Sequence, residues 1–297
     1  MNPISRRSFV TGALGAAALL GGCRAPARPS RRVAADRVAL GTSGVRVPRV
    51  ALGSGTRGWQ RVSDQTKLGK ESYARLVRHG VERGAAFLDA ADLYGSHEYV
   101  RHALRSEKIP RDRVVILSKI WFTEAPGMTP TTTAKPEVER FCRELGVDMI
   151  DIVLIHCTQD PEWPVQLARM RDELSELKER GIVRAVGCSC HTHAALRAAC
   201  EHPWTDVVLA RINPRHAAMD DDATVEETVA LLRTAKARGK GVLGMKLFGC
   251  GALTDPAARA ESLRFSFGSD LIDAGTIGFL APAEIDDAMD AIDGVLA

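Results

Sequence analysis

Four polar residues stand where the β-branched runs of this 297-residue chain give out: Asp89, Tyr94 five residues on, Lys119, and His156. Taken singly, each has an ordinary use. An aspartate at a strand end caps a helix, a tyrosine packs its ring, a lysine is solvated and a histidine sits satisfied in a core. Taken together, the types define a chemistry. A phenol with a pKa near ~10 is a poor acid at neutral pH; an adjacent ammonium stabilises the phenolate and lowers that value, and a carboxylate holds the ammonium in place. A neutral imidazole can orient a carbonyl oxygen beside the phenol. The set therefore reads as a proton donor for a carbonyl group that accepts hydride, with Asp89, Tyr94, Lys119 and His156 as candidate catalytic residues.

Such residues need a scaffold that brings strand ends together. Eight short apolar, β-branched runs qualify as strands: residues 50–53, 86–89, 114–119, 150–156, 184–189, 207–212, 241–246 and 274–279. Helical spacing fills the gaps. Tyr73, Leu76, Val77 and Val81 precede Gly84; Leu167, Met170, Leu174 and Leu177 precede Gly181. Thr224 and Glu227 have the spacing of a capping box, with Val225, Val229 and Leu232 as the expected buried stripe. Strand and helix in alternation imply parallel strands joined by right-handed crossovers, and eight units close as an α/β (β/α)8 TIM barrel whose chemistry sits at the C-terminal ends of the strands. A short β-hairpin, residues 38–41 and 45–47 around Thr42-Ser43-Gly44, precedes it. Gly53, Gly55 and Gly58 have the Gly-x-Gly-x-x-Gly spacing, but Trp59-Gln60-Arg61 follows instead of an apolar helix, so no Rossmann fingerprint is assigned.

Three segments carry a resemblance. Gly84-Ala85-Ala86-Phe87-Leu88-Asp89-Ala90-Ala91-Asp92-Leu93-Tyr94-Gly95 resembles the first signature of the aldo-keto reductases, Ile116-Leu117-Ser118-Lys119-Ile120-Trp121 resembles their lysine strand, and Leu145 through His156 is similar to the strand carrying their histidine. The matches come in family order. The resemblance implies Tyr94 as general acid/base, Lys119 tuning it, Asp89 paired with Lys119, and His156 orienting the substrate, a small-molecule aldehyde or ketone. It also implies NADP(H) across the barrel mouth, with Gly55 and Thr56 near the nicotinamide ribose, Ser189 on the carboxamide, Lys246, Leu247, Phe248 and Gly249 around the pyrophosphate, and Trp121 as a substrate wall.

Some positions depart from the family's pattern. Cys190 stands where the family has Asn, Leu209 where it has Gln, and Met245 where an aromatic ring stacks on the nicotinamide. After Gly278-Phe279, where Lys and Arg bind the 2′-phosphate of NADP, this chain reads Leu280-Ala281-Pro282-Ala283-Glu284-Ile285-Asp286-Asp287. Lys246 and Arg264 are the candidate replacements for that charge. The cofactor expectation is NADP by resemblance, with NAD as the alternative.

The N-terminus carries a different message. Ser5-Arg6-Arg7-Ser8-Phe9 followed by an apolar stretch over residues 12–20 resembles a twin-arginine export signal, and Leu20-Gly21-Gly22-Cys23 resembles a lipoprotein cleavage box. The expected organisation is a signal over residues 1–22, a flexible tether over residues 23–35 beginning at a lipidated Cys23, and the barrel over residues 36–297. The expected partner is the twin-arginine export machinery, and the expected location periplasmic, on a lipid anchor. The chain's net +3 hides six arginines and no acid in residues 1–35, so the remainder carries −3 and offers no nucleic-acid footprint.

Cys157, Cys188, Cys190, His191, His193 and Cys250 fall near the expected mouth, but successive strand positions face opposite ways and no metal site is assigned. Two other readings remain. The altered cofactor cradle and the export signal allow a binding or sensory barrel, and Lys119 allows a Schiff-base enzyme, although a lysine stabilised as a cation is a poor nucleophile.

Overall fold

The computed structural model describes residues 32–126, 128–220 and 222–297. The leader, Cys23 and most of the tether lie outside the described residues.

Two hairpin strands, β1 (Arg37–Ala39) and β2 (Arg46–Pro48), pair antiparallel with Val38 opposite Val47. Eight parallel strands follow: β3 (Val50–Gly53), β4 (Phe87–Asp89), β5 (Val115–Ile120), β6 (Ile150–Thr158), β7 (Val183–Cys190), β8 (Val207–Arg211), β9 (Gly241–Met245) and β10 (Ala274–Gly278). They close as a barrel, with β10 hydrogen-bonded to both β3 and β9. The connecting helices are α1 (Lys70–Glu82), α2 (His97–Ser106), α3 (Lys135–Leu145), α4 (Trp163–Gln166), α5 (Ala168–Glu179), α6 (His193–Glu201), α7 (Val225–Ala237), α8 (Pro256–Leu263) and α9 (Pro282–Leu296). The expected (β/α)8 barrel with its hairpin is the fold observed.

Alternation along the strands sorts side chains into two layers. Ala51, Phe87, Leu117, Ile152, Leu154 and Leu243 fill the barrel interior, and Leu40, Val45 and Val47 of the hairpin join them from below. The hairpin is stapled to the N-terminal ends of the strands: the Thr42 N–H donates to the Gly239 carbonyl at 2.7 Å, and Gly241 lies so close to Leu40 that a Cβ there would meet its side chain at 2.4 Å. The opposite residues, among them Leu52, Leu88, Ile116, Val153, Val186 and Val208, pack outward against the helices. The floor is thus closed by apolar side chains, and the C-terminal strand ends form the mouth.

Two expectations need correction. Thr224 and Glu227 do form a reciprocal capping box, but α7 buries Thr228, Leu231, Leu232 and Ala235, while Val225 and Val229 are only half-buried. The helix is rotated so that Leu231 and Leu232 together face the barrel, leaving Val225 in the first turn at its periphery. At the other end of the chain, the last residues of the expected tether are docked instead of solvated. Ala34 is fully buried and its N–H donates to the Asp293 carboxylate at 2.6 Å, while the Val33 N–H donates to Asp36 at 2.8 Å. Small side chains and two carboxylate acceptors let this stretch lie against the barrel.

Candidate active site

Two residues beyond the inner apolar layer, the same inward face carries Gly53 on β3, Asp89 on β4, Lys119 on β5, His156 on β6 and Thr276 on β10. Strand periodicity alone brings three of the four sequence-predicted residues to one rim. Tyr94 arrives differently, at the end of a single 3-10 turn (Asp92–Tyr94) that Gly95 terminates in the left-handed region at φ 64°. A side chain there would strike the Arg61 carbonyl at 2.1 Å, so position 95 needs glycine on both counts.

The four side chains make one cluster. The buried Lys119 ammonium donates to the Asp89 carboxylate and, at 3.1 Å, to the Ala90 carbonyl. Thr276 Oγ1 donates to the other Asp89 oxygen at 2.7 Å. The Tyr94 hydroxyl lies 3.3 Å from His156 Nε2, and the Lys119 ammonium sits 4.9 Å from the centre of the Tyr94 ring. Trp121 stands edge-on to His156 at 5.5 Å and to the half-exposed Trp59 at 5.7 Å.

Electrostatics follow from burial. The His156 imidazole is driven well below its usual value by burial and then by the Lys119 charge, so it is neutral. Burial lowers Lys119 against the opposing pull of Asp89. The Tyr94 phenol is pushed well above 10, first by burial and then by the Asp89 charge. This corrects the expectation of a phenol lowered by its ammonium neighbour. Lys119 spends its charge on Asp89 and faces the ring instead of the hydroxyl. What results is a protonated phenol beside a neutral imidazole, an arrangement suited to donating a proton to a ligand oxygen placed between them.

Why Tyr94 sits where it does was not evident from its own segment. Asp92 at the start of its turn accepts from both ends of the Arg140 guanidinium, at 2.9 and 2.8 Å, and from Arg61. Burial opposes its charge, yet these two arginines hold Asp92 below the usual carboxylate range. Arg140 in turn holds Glu144 at 2.8 Å, and Glu144 is paired with the buried His97, which reaches Ser118 Oγ on the outer face of β5 at 2.7 Å. Hydrogen bonds from His97 and Arg140 overcome burial and draw Glu144 down to about 2. The turn bearing Tyr94 is thereby pinned to the strand bearing Lys119.

The Gly-x-Gly-x-x-Gly segment acquires a use here. A Cβ at Gly55 would lie 2.3 Å from two carbons of the Tyr94 ring, and one at Gly58 would lie 2.5 Å from a third. The two glycines are the floor on which the phenol rests. Gly55→Ala is expected to displace the hydroxyl and cost turnover about 100-fold, the usual effect of misplacing a reacting group by an ångström. Steady-state kinetics with an intact circular-dichroism spectrum check this, and unchanged kcat would refute the cradle.

Beside Tyr94 opens a cleft of 360 Å³, lined among others by Gly55, Thr56, Leu209, Met245, Lys246, Leu247 and Phe248. It shares Phe248, Arg259, Gly278 and Glu284 with an adjoining cavity of 430 Å³ against α8 and α9. Asp89 also lines the cleft, whereas Lys119, His156 and Trp121 are buried at its edge. Ser189 points inward with its hydroxyl buried and without a partner among the described residues. Cys190, one residue on, faces the other way: it is buried in the outer layer and accepts from Thr158 Oγ1 at 3.3 Å. Gly249 lies in the turn behind Phe248, packed against Ala217, with Cys250 and Gly251 taking the cleft face. Of the two candidate cations, Lys246 lines the cleft, and Arg264 is exposed and absent from both linings. Arg259, which the sequence did not single out, lines both cavities with its guanidinium 5.3 Å from the Phe248 ring. Its only signal was its place one turn into a helix opened by Asp255-Pro256.

The cavity properties suit a nucleotide of the nicotinamide class. An unpartnered buried hydroxyl, two cations and a long cleft running from the phenol toward the N-terminus of α9 meet the needs of an amide, a pyrophosphate and an adenosine.

Comparison with known proteins assigns the chain to a family. The model of the aldo/keto reductase family matches residues 49–266, and the chain belongs to that family. It is 29% identical over 146 residues to the methylglyoxal reductase DkgA of Yersinia pestis, a match covering 49% of this chain and 46% of the relative. It is 32% identical over 147 residues to the 9,11-endoperoxide prostaglandin H2 reductase of Trypanosoma cruzi, covering 49% and 45%. The chain spans about half the length of the curated relatives it matches. Among solved structures, an aldo-keto reductase from Pseudomonas aeruginosa superposes with a TM-score of 0.73 at 22% identity, over 90% of this chain and 99% of that one. One from Klebsiella pneumoniae, in complex with NADPH, gives 0.62 at 18%, over 86% and 89%. At these identities the structures speak for the fold.

Proposed function

We propose that the protein is a nicotinamide-dependent oxidoreductase that interconverts aldehydes or ketones and alcohols, with Tyr94 as general acid/base. The observation that carries this is the Tyr94 hydroxyl held 3.3 Å from a neutral His156 beside the cleft. A bound reduced nicotinamide would supply hydride. The chain's own residues do the rest: Tyr94 and His156 hold the carbonyl oxygen, Tyr94 gives it a proton, Lys119 and Asp89 fix the electrostatic surroundings of the phenol, and Trp121 walls the substrate side. Hydrogen bonds that strengthen as charge develops on that oxygen favour the transition state.

The reading includes a cofactor preference. Glu284 lines the far end of the cleft and Asp287 the adjoining cavity, so a 2′-phosphate there would meet carboxylates, while an unsubstituted ribose can donate its hydroxyls to one. Lys246 and Arg259 serve the pyrophosphate. NADH is therefore expected to bind at least about tenfold more tightly than NADPH, a gap of roughly 1.4 kcal/mol, and Glu284→Gln to narrow the gap. Fluorescence titration of both nucleotides checks this; tighter NADPH binding by the unaltered protein would count against it. Turnover of a broad carbonyl panel with either nucleotide tests the function itself, and neither turnover nor nucleotide binding would end the proposal.

The leader belongs to the same proposal: Arg6 and Arg7 direct export of the folded protein, and Cys23 carries a lipid at a periplasmic membrane surface. Mass spectrometry of the native mature protein would reveal both the lipid and any retained dinucleotide. A second reading, a binding or sensory barrel, draws on Leu209 and Met245, which offer the cleft no hydrogen bonds. Tight nucleotide binding without turnover would favour it.

A further inference from the structure

The rim holds one more charged group, on β8. Leu209 faces the barrel interior and the cleft, so Arg211, two residues on, faces the same way at the mouth, just beyond the residues that line the cleft and in register with the cleft-lining Met245. His191 follows inward-facing Ser189 by the same interval. Arg211 donates to Asp220 at 3.0 Å and to His191 Nδ1 at 2.6 Å. A guanidinium is a donor only, so Nδ1 must accept and the imidazole hydrogen sits on Nε2. That atom lies 3.3 Å from Cys157 Sγ, next along the chain from His156 and packed against the Trp121 wall. Burial, then the Arg211 charge, pushes the His191 ring down to about 3, so this tautomer stays neutral and donating.

The polar balance of the mouth is one-sided. With Ser189 Oγ assigned to the nucleotide amide, Trp121 Nε1 and Arg211 Nε remain as buried donors without partners among the described residues. The carboxylates are occupied, Asp89 by Lys119 and Thr276, Asp220 by Arg211. Unmet buried donors favour a ligand with acceptor oxygens to spare, and a planar guanidinium suits a carboxylate.

Resting on the reductase reading above, we propose that Arg211, positioned with His191, selects oxo acids: short aldehydes or ketones that carry a carboxylate a few bonds from the carbonyl. The chemistry is otherwise that already described. The carbonyl carbon gains hydride, the C=O π bond opens, the oxygen takes the Tyr94 proton, the reduced nicotinamide is oxidised, and the carboxylate leaves unchanged as part of a hydroxy acid.

The test compares glyoxylate, pyruvate and 4-oxobutanoate with butanal and butanone on the purified protein, and titrates the unreactive oxo-acid mimic oxamate against tryptophan fluorescence in the presence of oxidised nucleotide. Expected is a preference in kcat/KM of about 100-fold for at least one oxo acid over its neutral counterpart, the size of a charge-assisted recognition. In Arg211→Met the preference falls to within severalfold, the loss appearing in the oxo acid's KM; Arg211→Lys retains part of it, and oxamate quenching weakens in parallel. Turnover of neutral carbonyls with no oxo-acid preference and no oxamate binding by the unaltered protein would overturn this inference while sparing the reductase reading. An unaltered preference in a folded Arg211→Met would overturn it too. No turnover of any carbonyl, with nucleotide still bound, would defeat the reductase reading itself.

Discussion

Tyr94→Phe is expected to lower carbonyl reduction about a thousandfold while nucleotide affinity changes little. The ring packs on Gly55 and Gly58 and stands edge-on to His156 at 5.4 Å, contacts that phenylalanine keeps. Only the hydroxyl is lost, and with it the proton that a general acid supplies, an effect of ~10²–10⁴. Because burial holds the Tyr94 phenol well above 10, the donor stays protonated through the neutral range, and reduction by the unaltered protein should not fall off between about pH 6 and pH 9 from this group. Single-turnover kinetics, with nucleotide titration alongside, separate chemistry from binding. A variant retaining a tenth of the activity would show that the proton comes from elsewhere.

Lys119→Met should be the most destabilising exchange at the rim. Among the described residues it removes the only charge touching the Asp89 carboxylate and leaves the Thr276 hydroxyl as its side-chain partner. Breaking one side of a buried ion pair costs about 3–5 kcal/mol. Replacing both members, as Lys119→Met with Asp89→Leu, should recover much of that loss without recovering turnover. Urea unfolding at neutral pH measures both. If Lys119→Met alone unfolds within about 1 kcal/mol of the parent, the Lys119–Asp89 pair does not hold the rim together and the electrostatic account of the site fails.

The barrel was legible because a strand buried on one side by helices and on the other by its neighbours needs apolar residues throughout, and eight such runs stand out. β3 occupies Val50–Gly53, as the pattern predicts. Ends were less legible where partner strands decide them. β6 continues to Thr158 through an irregularity because Thr158 pairs with Cys190, a constraint that local composition does not carry. The same limit applies to the site. Asp89, Lys119 and His156 interrupt apolar runs and are conspicuous, whereas Arg211 ends a strand as an ordinary polar boundary, and Arg140 becomes meaningful only once α3 lays it across Asp92. The glycines at 55 and 58 carry a visible spacing, but their purpose appears only when Tyr94, 39 and 36 positions further on, folds onto them.

The docking of Ala34 on Asp293 sets an orientation. Asp293 lies near the C-terminal end of α9, and Gly84, which Ala35 abuts, lies just before β4; both belong to the hairpin side of the barrel. Ala34 and Ala35 therefore lie at the pole opposite the rim that carries Asp89, Lys119 and His156. A force applied to residues 33–35 would load the sealed floor of the barrel before it reached the mouth.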